Sequence, residues 1–240
     1  TRRPAPRTTF STLPATPVWA ARARAAALDR VLALGLPEKR DEYWRYTDPA
    51  RLIAAEVRPA EVFKVTDEPP MYQGIDRLKL VFVDGVFDPA ESDPLTGEGL
   101  EITRLSEARD LHWAADLYGT LEAAGQQPVA RPLAALNSAT ATEGVLIRVT
   151  AALARPVSLI YRRATTGAEV TLHHVVRVEP GAELTLLENG PVAARSSIVL
   201  EADVADGAVL HHVRTMGRDH ERKSITHLFA RLGAGSRFKS

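Results

Sequence analysis

Seven histidines and no cysteine bound the chemistry open to this 240-residue chain. Without thiols there is no disulfide, no thiolate nucleophile, no Cys-ligated zinc and no direct thiolate ligation of an iron–sulfur cluster, so any metal would rest on His, Asp or Glu. The histidines are His112, His173, His174, His211, His212, His220 and His227. Two adjacent pairs stand out, and because neighbouring strand residues point to opposite faces, each pair offers at most one inward ring. The expectation is one hydrogen-bonded and one exposed histidine per pair. The acids Glu179, Glu183, Glu188, Glu201, Asp203 and Asp206 form no repeated inward set, which predicts solvated turn acids rather than a polysaccharide-cleaving cluster. Neither Gly-x-x-x-x-Gly-Lys-Ser/Thr nor Gly-x-Ser-x-Gly occurs, so no P-loop and no nucleophile elbow is encoded. Trp44 with Tyr43 and Tyr46 is expected to pack a short helix rather than stack a ligand. On these grounds no residue is assigned a catalytic, cofactor-binding or metal-binding role.

One spacing leaves a second reading open. Gly167, His173 and Glu179 resemble the first metal motif of the cupins, in which two His and a Glu hold a divalent ion. The motif's second His would fall at Val175 and its closing Gly at Leu186. The alternative is therefore a cupin-like metal-dependent enzyme using His173 and Glu179, with two protein donors from this segment.

Composition frames both readings. The chain has 45% hydrophobic and 25% charged residues, enough for a substantial core, and its 30 basic residues balance 30 acidic ones. No net field exists to hold nucleic acid or an anionic membrane. The excess of Arg, 25 against 5 Lys, is compositional rather than functional. The longest strongly apolar run, Leu78 to Val83 broken by Lys79, is far short of the roughly 20 residues of a membrane helix, and the Arg/Pro-rich start lacks a signal-peptide core. These features predict a cytoplasmic protein.

Two regions follow from the patterning. Residues 1–75 read as a loose arm over Thr1–Thr16 followed by a helical subdomain. Its first helix is capped by Thr16, carries Pro17 in its first turn, places Val18, Ala21, Ala25, Leu28 and Leu32 on one stripe and stops at Gly35-Leu36-Pro37. A second short helix is expected near Asp48–Val57. Residues 76–240 read as a β core. Leu78 to Val83 alternates with period two into the Asp84-Gly85 turn, Leu100 to Thr103 forms another strand, and an inserted helix near 110–124 ends at Gly125.

The last third repeats. Val178-Glu179-Pro180-Gly181-Ala182-Glu183-Leu184 is echoed by Val204-Ala205-Asp206-Gly207-Ala208-Val209-Leu210 and by Leu232-Gly233-Ala234-Gly235-Ser236-Arg237-Phe238. Glycines 181, 207 and 235 lie 26 and 28 residues apart, a period that fits two strands and two turns. Gly serves corners of positive φ, and strands repeating without crossover helices predict a parallel β-helix rather than an antiparallel sandwich. A β-helix needs a capped last rung, and the chain stops just after the third corner, which predicts a missing C-terminal portion.

The segments Leu36-Pro37-Glu38-Lys39-Arg40-Asp41-Glu42-Tyr43-Trp44-Arg45-Tyr46-Thr47 and Leu136-Asn137 through Gly144-Val145, with the Gly-Ala rungs, resemble the SufB/SufD family and its SufD branch in particular. These are the β-helix subunits of the SufB–SufC–SufD iron–sulfur cluster assembly complex. The absence of Cys also favours SufD over SufB. The resemblance, from about Val18 onward, implies an N-terminal helical domain, a right-handed parallel β-helix with two strands per turn, and a C-terminal helical domain docking the ATPase SufC. It implies a non-catalytic scaffold with SufB and SufC homologues as partners. No cofactor is implied in this chain, the cluster belonging to the complex, and a homodimer can form when the partner is absent. The functional histidine of the family's β-helix has no counterpart motif here, so no site residue carries over.

Overall fold

Short period-two segments punctuated by Gly corners build two facing sheets. The computed structural model describes residues 18–62, 71–109, 112–216 and 221–240, with only the backbone at residue 112. The arm over Thr1–Thr16, the proposed Thr16 cap, Pro17, His220 and the His112 side chain lie outside the described residues. The strands are β1 (Leu78–Val83), β2 (Val86–Asp88), β3 (Thr96–Gly97), β4 (Leu100–Arg104), β5 (Val145–Val149), β6 (Val157–Arg162), β7 (Glu169–Val178), β8 (Glu183–Asn189), β9 (Arg195–Val204), β10 (Val209–Thr215), β11 (Lys223–Leu232) and β12 (Arg237–Lys239).

From β5 onward the chain alternates between the sheets. One has the order β11-β9-β7-β5-β4-β3 and the other β12-β10-β8-β6-β1-β2. The pairs β5–β7, β7–β9, β9–β11, β6–β8, β8–β10 and β10–β12 are all parallel. This is a parallel β-solenoid with two strands per turn, as the repeat predicts, and not an antiparallel sandwich. At its start β4 pairs antiparallel with β5, whereas β1 joins β6 in parallel and turns back into β2.

The corners explain the repeated Gly. Ala182 and Ala208 donate their amides to the carbonyls of Glu179 and Ala205, three residues back, closing turns whose third residues are Gly181 (φ 73°) and Gly207 (φ 67°). A side chain there would force a left-handed backbone, and Pro180 presets the preceding φ. Behind each corner Ala182 and Ala208 are buried, so successive turns stack closely. Between the sheets Leu80, Ile147, Leu159, Leu172, Val176, Leu184, Leu186, Ile198, Leu200 and Leu210 form one apolar column. Each such side chain contributes about 1.5–3 kcal/mol on burial.

Helices cover the outer face of the β5–β11 sheet. These are α1 (Ala21–Leu34), α2 (Ala50–Ile53), α3 (His112–Ala115), α4 (Thr120–Ala124) and α5 (Pro132–Thr140). Helix α5 packs on β7 and β9, and α1 packs on α5. A second cluster, with Trp113, Leu117 and Tyr118 against Leu146 and Val175, completes this layer.

Several helical expectations require correction. Helix α1 stops at Gly35 as predicted, but its buried face is Ala20, Arg24, Ala27 and Val31, while Val18 is 90% exposed. An Ala-rich helix has little apolar contrast, and the buried Arg24 guanidinium, which donates to the Ala141 carbonyl, sets the face. The helix near 48–57 is the single turn α2. The inserted helix is broken into α3 and α4 at Gly119, which is left-handed at φ 70°. Helix α5, begun by Pro132, has no counterpart among the helices that the sequence pattern predicts. Tyr43 and Tyr46 are 70% and 91% exposed, so the aromatic segment does not pack a helix.

Candidate functional site

Strand β7 places two adjacent histidines on its two faces, and both are buried. His173 points outward under the helices, and His174 points into the solenoid lumen. The expectation of one exposed ring fails here because the outer face is itself covered. It holds at β10, where His211 is exposed and His212 buried.

The outer cluster is a fastening. Glu201, on β9, is fully buried and accepts the amides of Gly119 and Glu122, each at 2.7 Å, through its two carboxylate oxygens. It thereby satisfies two of the otherwise unpaired N–H groups that open α4. His173 Nε2 lies 3.2 Å from Glu201 Oε2, its Nδ1 lies 3.1 Å from Asn137 Oδ1, and its ring packs on Tyr118 at 4.2 Å between centroids. Asn137 in turn donates to the carbonyls of Leu172 and Ser197, both at 3.0 Å, which ties α5 to β7 and β9. Burial raises the Tyr118 hydroxyl well above its ordinary range, and it donates to Ser138 O at 2.8 Å. Glu201 and Asn137 thus tie α4 and α5 to the strands beneath them, and the cluster positions helices.

The lumen cluster crosses sequential turns. The Val145 amide donates to His174 Nδ1 at 3.1 Å, which fixes that nitrogen as an acceptor and leaves the proton on Nε2. Nε2 lies 3.0 Å from the Tyr161 hydroxyl, which donates to Glu188 Oε2 at 2.8 Å. The other carboxylate oxygen of Glu188 faces His212 Nε2 at 2.7 Å, and His212 Nδ1 faces Ser240 Oγ at 3.0 Å. Arg214 stands 3.6 Å from Glu188 Oε2. Burial disfavours a charged imidazole at His174 and brings its pKa down to about 4 against the pull of Glu188. Burial would raise Glu188, but the His212 hydrogen bond, Arg214 and the imidazole rings outweigh it and hold the carboxyl at about 2. The Tyr161 hydroxyl is pushed well up, by burial first and by Glu188 second. The result is an ionised carboxylate held by polar partners inside a largely apolar column.

Other acids divide by position. Glu188 and Glu201 are buried within strands, a correction to the expectation of solvated turns, whereas Glu183 is exposed. Asp206 accepts the Ala234 amide at 2.7 Å and ties two corners together. The cupin-type pair is not brought together: the His173 ring engages Asn137 and Glu201, while Glu179 pairs with Arg148 at 2.7 Å. Six residues along an extended strand separate the two by roughly 20 Å, and the fold is not a small antiparallel barrel. Among the described residues, no group of three or more His, Cys, Asp or Glu is arranged to hold a metal ion. Also among them, no helix is long and apolar enough to cross a membrane.

A parallel solenoid with a buried polar hub can be set beside known proteins. The chain is similar to the iron–sulfur cluster assembly protein SufD of Escherichia coli (strain K12), with 29% identity over 168 residues. That alignment takes in 68% of this chain and 37% of SufD, so the chain spans little more than a third of its relative's length. No protein-family model matches the chain. The likeness to SufD is consistent with the parallel β-solenoid.

Proposed function

We propose that this chain is the helical and β-solenoid portion of a SufD-type subunit that supports iron–sulfur cluster assembly. In this reading it is a scaffold rather than an enzyme. It pairs with a SufB-type subunit and works with a SufC-type ATPase in the cytoplasm, and the cluster is the cargo of the complex, not a cofactor of this chain. The observation that carries the reading is the likeness to SufD in a chain that folds as a two-strand-per-turn parallel solenoid. The closed outer cluster also supports it, since Glu201 and His173 spend their hydrogen bonds on holding helices.

The test is co-expression of the full gene product with SufB- and SufC-type chains of the same source, followed by affinity and size-exclusion chromatography. The expected result is a stable complex containing all three and, for the chain alone, no stoichiometric metal. Failure to associate with either chain overturns the reading. So does a metal-dependent turnover by the isolated chain that disappears in His173→Ala.

A further inference from the structure

On the outer face of the β5–β11 sheet, the first residues of β7, β9 and β11 lie in two rows, Glu169–Arg195–Lys223 and Thr171–Ser197–Ile225. Helices α2 and α5 do not close fully over them. A cavity of about 280 Å³ remains, with Leu52 of α2, Leu133 and Leu136 of α5 and Ile225 of β11 as its apolar walls, and with Glu169 and Arg195 also lining it. Its walls come from β7, β9, β11, α2 and α5, so it is bounded without any residue of β12. Protein interiors pack with few voids larger than a water molecule, and aliphatic groups beside a void forfeit dispersion contacts. Attachment of the helices gives no reason for a void of this size.

Two charges stand beside these apolar walls. Arg195 is 7% exposed, its Nε donates to Glu169 Oε1 at 2.7 Å, and its Nη1 donates to the Ala54 carbonyl at 2.6 Å. Those bonds tie the end of α2 to β9. They leave Arg195 Nη2 and Glu169 Oε2, neither of which has a hydrogen-bond partner among the described residues. A cation and an anion fixed side by side sort ligands by charge. A plain carboxylate gains Arg195 but meets Glu169 as a like charge, a plain amine has the reverse conflict, and a group bearing both charges on one carbon satisfies the pair. A wider cleft of about 880 Å³ adjoins the cavity at Arg195, and there Arg51, Arg58 and Lys223 stand against Asp48, Glu56 and Glu221. With those charges in balance, the approach favours neither a net anion nor a net cation.

We propose that this cavity binds a free apolar α-amino acid as its zwitterion. The ligand carboxylate accepts from Arg195 Nη2, its ammonium donates to Glu169 Oε2, and its aliphatic side chain fills the space between Leu52, Leu133, Leu136 and Ile225. A volume of about 280 Å³ lies just under the roughly 300–1,000 Å³ of pockets for drug-sized ligands, which suits a single amino acid and is too small for a nucleotide. Because the walls belong to α2, α5 and three strands, occupancy joins the helical layer to the sheet and stabilises the folded chain. The site stands apart from the scaffold reading, which concerns the partners of the chain and not this cavity.

Titration of the 15N-labelled chain with L-leucine, followed by amide NMR and calorimetry, tests it. Saturable one-to-one binding is expected, with the amides of Thr171, Ser197 and Ile225 among those that shift. Isocaproate, which is leucine without its ammonium, is expected to bind at least about tenfold more weakly, the equivalent of one charge-assisted hydrogen bond. Glu169→Gln, whose carbonyl oxygen can still accept from Arg195 Nε, should erase that preference. Ile225→Phe, which fills the cavity from β11, should abolish binding of both compounds. Lack of saturation by leucine overturns the proposal, as do equal affinities for the two compounds in the unaltered chain, a preference that persists in Glu169→Gln, or binding unmoved by Ile225→Phe. If Ile225→Phe does not fold, the comparison of leucine with isocaproate in the unaltered chain and in Glu169→Gln decides alone.

Discussion

Removing the Glu201 carboxylate is the sharpest test of how the helical layer is attached. In Glu201→Ala the amides of Gly119 and Glu122 lose acceptors at 2.7 Å, and His173 Nε2 loses its partner at 3.2 Å, all within a fully buried environment. An orphaned buried donor costs about 1–3 kcal/mol, so two backbone amides give about 4 kcal/mol as a central figure. That is a large share of the 5–15 kcal/mol by which domains are usually stable, and for a chain of this size it corresponds to a midpoint lowered by about 8–16 °C. Glu201→Gln keeps one carbonyl oxygen and one of the two amides can still be met, so about half of the loss is expected. Urea and thermal unfolding measure the totals, and hydrogen exchange locates them. The Gly119 and Glu122 amides should lose protection in Glu201→Ala before those of β9. If both variants unfold within about 0.5 kcal/mol of the unaltered chain, in the range of ordinary surface changes, Glu201 does not fasten the helices.

The remaining expectations concern corners, pH and the paired histidines. A Cβ on Gly144 or Gly190 would lie 1.9 Å from the carbonyl oxygen of His173 or Tyr161, so Gly144→Ala and Gly190→Ala should yield little folded protein on expression. At Gly181 and Gly207 nothing lies within 4 Å of such an atom, and only the positive φ is strained. Gly181→Val and Gly207→Val should then cost about 1–3 kcal/mol each in unfolding midpoints, and a cost above that of Gly144→Ala would refute the ranking. His174 has a native pKa of about 4, below the unfolded value near 6.5, so as pH falls the unfolded chain binds the proton first. Its stabilisation is complete above about pH 6.5 and is lost between there and about 4, by about 3 kcal/mol. The slope of unfolding free energy in that window should flatten in His174→Leu, and an unchanged slope would mean the ring is not buried neutral. His211→Ala should be within about 0.5 kcal/mol of neutral, whereas His212→Ala should cost about 1–3 kcal/mol by leaving Glu188 short of a donor.

The repeat in the sequence was enough for the solenoid because each corner needs a residue that accepts positive φ and a small one behind it, and Gly181-Ala182 and Gly207-Ala208 spell that out. The strand alternation of β1 and β4 was readable for the same local reason. What escaped was the covering of the outer face. Period two tells which residues of β7 share a side but not that helices lie over the far side, so it predicts one exposed ring in the pair where both are buried. The short helix α5 carries weak periodicity, nothing in the stripe over 110–124 marks the break at Gly119, and the burial of Arg24 depends on a carbonyl 117 residues away in sequence. A signal for the two key acids was present. Glu188 follows Leu186-Leu187, and Glu201 sits between Leu200 and Ala202, each a carboxylate within an apolar strand rather than at a turn. A charge in that setting is buried and partnered more readily than it is solvated.

The placement of these two carboxylates on consecutive β-strands, β8 and β9, separates two demands that a solenoid scaffold faces. The outer sheet face must hold short helices that cannot stand alone, and Glu201 does this by accepting two amides at the start of α4. The lumen needs no such charge for packing, yet Glu188 keeps one among Leu and Val side chains. Strand β7 lies between them, with His173 answering Glu201 on one face and His174 reaching Glu188 through Tyr161 on the other. Because β7 is paired to β9 in register over its whole length, a shift of one residue would carry one ring into the other's place, put Leu172 or Val175 in the place left empty, and leave one carboxylate without its imidazole. The adjacent histidines therefore fix the register of the second turn against the third more tightly than the aliphatic column can, since interchangeable Val and Leu tolerate repacking and a buried charge does not.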